Sequence, residues 1–92
     1  SDFGDNPFIK NLILSSLGYS HEAKKEYKPA AEYFEMLASA PDYDMKDEVL
    51  FNLAQIYAGM GNYEQRLNAL NKIISDHEDS MYFKIAKESI PG

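Results

Sequence analysis

Shifting the chain by 36 residues lays its first half over its second, and this repeat constrains the fold more than any other feature. Ile13-Leu14 falls on Val49-Leu50, Leu17-Gly18 on Leu53-Ala54, and Tyr27 on Tyr63. Phe34 falls on Leu70, Leu37 on Ile73, and Asp44-Met45 on Ser80-Met81. Apolar positions meet apolar positions and turn positions meet turn positions, so one structural unit is written twice. A period of this size marks a solenoid, in which each unit buries its apolar face on its neighbour.

The units are helical. Asn6-Pro7 opens a first helix, Asn6 capping the orphan amides and Pro7 taking the position that needs no donor. Ile13, Leu14 and Leu17 then share a stripe, with Ala23 and Tyr27 at its far end. A break at Tyr27-Lys28 and Pro29 starts a second helix, with Ala30, Phe34 and Leu37 inward, and Pro41 ends it. Asp44, with Asp47 three residues on, offers a cap for the third. Leu50, Leu53, Ala54 and Tyr57 follow the i, i+3, i+4, i+7 pattern there. Gly59-Met60-Gly61-Asn62 stops that helix and starts a fourth, with Leu67, Leu70, Ile73 and Ile74 inward. Ser80 caps a fifth, on which Phe83, Ala86 and Ile90 share a face. No period-two alternation of useful length appears, so the expected fold is all-α, with five antiparallel helices.

These residues resemble the tetratricopeptide repeat. Its pattern is matched by Leu14, Leu17-Gly18, Tyr27, Ala30, Phe34 and Pro41, and again by Leu50, Leu53-Ala54, Tyr57, Gly61-Asn62-Tyr63 and Leu70. The resemblance implies a right-handed superhelix of antiparallel helix pairs in a single domain over residues 1–92. Repeat one covers about 7–42, repeat two about 44–78, and a partial third about 80–90. The family's period is about 34 residues; the additions are most easily placed near Pro41 to Asp44. Arg66 stands where the family has a small residue, so either its stem snorkels out or Leu67 packs instead. His21 stands where Tyr is usual. A narrower resemblance, to membrane-anchored bacterial envelope members of the family, rests on Ala40-Pro41 and on Asp79 to Lys87. It sets a periplasmic location beside a cytoplasmic one. The chain begins at Ser1, which reads as an excised or processed piece, so that any anchor or targeting signal would lie outside it.

In such a superhelix the first helix of each pair lines a concave face. The resemblance places Leu12, Ser15, Ser16, Tyr19 and Glu22 there, then Glu48, Phe51, Asn52 and Gln55. Tyr19 and Phe51 lie off the core stripe, and aromatics flanked by amides suit recognition of an extended peptide or a helix. Against this, Phe51 also suits packing on the first helix or on a missing neighbour. Some members grip a terminal carboxylate with Lys and Asn. Asn52 fits that pattern, but Ser15, Tyr19 and Glu88 do not, so the clamp is not expected.

Chemistry has little to build on. Fifteen acidic against nine basic residues give a net charge of −6, which repels phosphate backbones and argues against nucleic acid. The absence of cysteine removes thiolate sites and disulfides. His21-Glu22 and His77-Glu78-Asp79 lack the i, i+4 pairing of a helical metal site. Ser15-Ser16 has no Gly-rich elbow, and Gly59-Met60-Gly61 lacks the lysine of a phosphate loop. No catalytic residue, metal or cofactor is expected, and no apolar run approaches the roughly 20 residues that span a bilayer. Two readings follow. One is a scaffold that binds a protein or peptide on the concave face. The other is self-association into a homodimer, or stacking on further repeats, through Phe83, Ile85 and Ile90.

Overall fold

A computed structural model describes residues 6–91. They form five helices: α1 (Pro7–Ala23), α2 (Tyr27–Ser39), α3 (Lys46–Met60), α4 (Tyr63–Asp76) and α5 (Tyr82–Ser89). Contacts run mainly between sequence neighbours, α1 on α2, α2 on α3, α3 on α4 and α4 on α5, with a lighter contact of α3 on α5. This is the nearest-neighbour packing of a helical repeat, and the body is elongated, 50 × 29 × 17 Å.

The helix ends follow from single residues. Asn6 accepts hydrogen bonds from the amides of Phe8 (2.9 Å) and Ile9 (3.3 Å), with Pro7 at the first helical position. At the end of α1 the amide of Lys25 bonds Glu22 O and that of Glu26 bonds His21 O, both at 2.9 Å. At the end of α3 the amide of Gly61 bonds Ala58 O (3.1 Å) and that of Asn62 bonds Tyr57 O (2.8 Å). Both are Schellman closures, with Lys25 (φ 60°) and Gly61 (φ 74°) in the left-handed region. The first helix therefore breaks at Lys24–Glu26, not at Tyr27-Lys28, and Pro29 sits inside the first turn of α2. Proline is tolerated there because the first-turn amides have no intrahelical partner.

The core is the inner face of α2, α3 and α4. Phe34, Leu37, Leu53, Ile56, Leu70, Ile73 and Val49 are its largest fully buried side chains, and Ala86 brings α5 onto it. Val49, Ile56 and Ala69 join the expected stripe, because α3 and α4 each have neighbours on more than one side. The Leu-Gly step in α1 has a packing cause: a Cβ on Gly18 would lie 2.9 Å from the Phe34 ring. The equivalent pair in the second hairpin is Ala54 and Leu70, both buried, with the small residue again on the first helix of the pair and the large one on the second.

Two expectations change. Ile13 is 50% exposed, because α1 is the first helix described and no other described helix packs on its outer side; its buried positions are Asn11 and Gly18. Asp44 does not cap α3; Asp47 instead accepts from the Glu48 amide (2.9 Å) and from Ser80 Oγ (2.6 Å). Ser80 Oγ in turn accepts from the Tyr82 amide (3.0 Å) at the start of α5. Tyr82 is half-buried against Phe51. Arg66 reaches out along its stem, and its Nη2 donates to Ser89 O (3.2 Å), a carbonyl at the negative end of α5.

Candidate functional site

Heptad-like spacing sends Leu12, Ser15, Tyr19 and Glu22 along one line of α1, while Glu48, Asn52 and Gln55 line the facing side of α3. The two lines meet at Tyr19. Its hydroxyl donates to Glu48 Oε1 (2.6 Å) and accepts from Asn52 Nδ2 (2.8 Å). Its ring meets Phe34 edge-on, with centroids 5.0 Å apart at 80°, so the core fixes the base of the side chain. Burial, and then the bond to Glu48, raise the Tyr19 pKa above its ordinary value. The phenol therefore stays protonated and keeps its donor role.

Around this bridge the other candidates spread out. Ser15 is half-buried one turn earlier on α1, and Gln55 is exposed one turn later on α3. Glu22 is half-buried, and burial raises the pKa of its carboxyl. Leu12 and Ser16 are exposed. Phe51 is not a free aromatic: it stacks on Tyr82 of α5 at 4.7 Å and 23°. The α1–α3 surface thus joins Tyr19, Glu48 and Asn52 directly, has Ser15, Glu22 and Gln55 at its margins, and ties Phe51 to the last helix.

Two grooves flank these elements. One, of about 440 Å³, runs between the start of α1 and the α2–α3 connection, with Phe8, Asn11, Leu12, Tyr43 and Met45 among its walls. The other, of about 460 Å³, lies across α2, α3 and α4 beside Glu35, Leu50, Tyr57, Asn68 and Lys72. There Tyr57 Oη donates to Glu35 Oε2 (2.5 Å). Asn11 escaped the sequence reading because a polar residue on a helix scores against the core; its place on the Gly18 face was the signal that could have found it.

At the far end, Phe83 is half-buried with Lys87 Nζ 5.3 Å from its ring centre, and Ile90 is half-buried against the core. Ile85 and Met81 are exposed. The His21 ring stacks on Tyr33 (5.6 Å, 10°) and its Nδ1 lies 2.7 Å from Glu26 Oε1. His77 closes α4 through its amide, which bonds Ile73 O (2.9 Å). Among the described residues no group of three or more His, Cys, Asp or Glu is placed to hold a metal ion. Among them, too, no helix is long and apolar enough to cross a membrane.

Residues 47–75, which are α3 and α4 less their outermost residues, match the family description tetratricopeptide repeat. No curated protein and no solved structure matches the chain.

Proposed function

We propose, from the premise that this chain carries a tetratricopeptide repeat, that its α1–α3 face receives an extended peptide or a partner helix. The family is typically a non-catalytic scaffold, and its repeat is in general a protein–protein interaction module. The observation that supports the finer reading is the Tyr19–Glu48–Asn52 bridge. It holds two helices in fixed relation while leaving Glu48 one carboxylate oxygen outside the Tyr19 bond, with Gln55 exposed two turns further along α3. Fixed acceptors and amides beside an apolar stripe suit a peptide main chain, because pre-organised polar groups lose little entropy on binding.

Selection of random displayed peptides against the chain, followed by affinity measurement on variants, tests this reading. Asn52→Ala, Glu48→Ala and Gln55→Ala each lower affinity for a selected peptide about fivefold or more, with helix content unchanged. Unchanged affinity in all three would remove the α1–α3 face from consideration and direct attention to the groove beside Tyr57 and Lys72. The self-association reading names Phe83, Ile85 and Ile90; of these Ile85 is exposed, and Met81 beside them is exposed as well. Phe83 is partly covered by Lys87 and Ile90 by the core, so a homodimer through this edge would rest chiefly on Ile85 and Met81.

A further inference from the structure

The groove at the start of α1 gathers several exposed apolar side chains. Phe8 (75% exposed), Leu12 (57%) and Met45 (49%) line it, three large apolar side chains on two separate elements. Its other wall carries Asp42 and Asp44, and neither Lys nor Arg lines it. Asn11 lies in its floor at 7% exposure.

We infer that this groove takes a positively charged peptide segment: a large apolar side chain inserts between Phe8, Leu12 and Met45, and flanking Lys or Arg meet Asp42 and Asp44. Two features select this occupant. A second copy of the chain carries net charge −6 and brings repulsion to an already acidic rim. An anionic ligand fails for the same reason. The inference deepens the α1–α3 reading, since Leu12 and Ser15 belong both to this groove and to the line that leads to Tyr19.

The test uses the full chain and peptides selected from a random twelve-residue display library. Selected peptides carry net positive charge around one large apolar residue. Leu12→Glu, a change at an exposed position, weakens their binding about thirtyfold. Asp44→Lys weakens it about five- to tenfold at low salt and less at high salt, because exposed charges are screened. Replacing the lysines and arginines of the peptide with glutamine reproduces the Asp44→Lys loss. Peptides that tolerate Leu12→Glu and Asp44→Lys but lose affinity with Asn52→Ala overturn the groove and leave the α1–α3 face standing. Selected peptides of neutral or negative charge overturn it too. A chain whose mass doubles with concentration, and reverts to monomer with Leu12→Glu, assigns the groove to a second copy instead. Failure to select any peptide counts against both readings.

Discussion

The turn at Lys24–Glu26 and the turn at Gly61–Asn62 stand one repeat apart and close their helices with the same two hydrogen bonds, yet they are built from different side chains. In the second, glycine takes the left-handed position without a Cβ penalty, and the Asn62 side chain accepts from the Gln65 amide (3.2 Å). In the first, Lys25 takes that position at φ 60°, and Glu26 gives the next helix no side-chain cap. Instead Glu26 turns back to His21. The left-handed region costs a residue with a Cβ about 1–2 kcal/mol, so the first turn is held by its surroundings and the second largely by itself. The packing beneath differs in a parallel way, Gly18 under Phe34 in one hairpin and Ala54 with Leu70 in the other. Repeat geometry is thus conferred by pairs of positions rather than by fixed residues.

The comparison breaks first at the packed pair. Gly18→Ala destabilises by about 1–3 kcal/mol in urea unfolding, because the buried Phe34 ring has little room to retreat. Adding Phe34→Leu, which rewrites the pair in the style of the second hairpin, returns part of that loss. A double-mutant cycle with no coupling would contradict the pairing.

Next comes the left-handed position. Gly61→Ala costs about 1–2 kcal/mol, whereas Lys25→Gly gains about 0.5–1 kcal/mol, since Gly also loses more freedom on folding. A loss at Gly61 with a smaller gain at Lys25, 36 residues earlier, would confirm the comparison; a loss at both would show that the Lys25 stem contributes contacts of its own.

The cap is smaller. Asn62→Ala lowers stability by about 1 kcal/mol, while Glu26→Asn raises it by a few tenths, read as shifts in urea midpoint.

The smallest effect is a pH dependence that links α3 to the start of α5. The Ser80 hydroxyl, helped by the Glu48 amide and the nearby His77, holds the Asp47 carboxyl below its ordinary range. A lowered folded-state pKa means that the unfolded chain binds the proton first. The contribution is therefore complete above the unfolded value near ~3.9 and fades as pH falls through the folded one. Ser80→Ala flattens the stability profile below about pH 4; an unchanged profile would show that the hydroxyl does not hold Asp47.

Much of this was legible in the sequence for physical reasons. Gly61-Asn62 announced the second turn because glycine and asparagine are the residues that turn chemistry demands there. Lys24-Lys25-Glu26 hid the first, since all three are good helix formers and only the position equivalent to Gly61 betrayed the bend. The inward stripes of α2 and α4 were readable from Phe34, Leu37, Leu70 and Ile73. The stripe of α1 was misplaced at Ile13, because the true contact face uses Asn11 and Gly18, which carry no hydrophobic signal. For the candidate surface, the repeat placed Tyr19, Glu48 and Asn52 on facing helices, but not the hydrogen bonds that join them. Those depend on the stagger between α1 and α3, which no local pattern encodes. Phe51 shows the converse: its neighbour, Tyr82, lies in a segment whose packing the repeat only half specifies.

The most direct test of the central claim is a map of backbone amide shifts in the ¹⁵N-labelled chain as a selected peptide is added. The account predicts perturbations centred on Leu12, Ser15, Tyr19, Glu48 and Asn52. Perturbations confined to the α2–α4 surface around Glu35, Asn68 and Lys72, or to the last helix at Ile85, would contradict it.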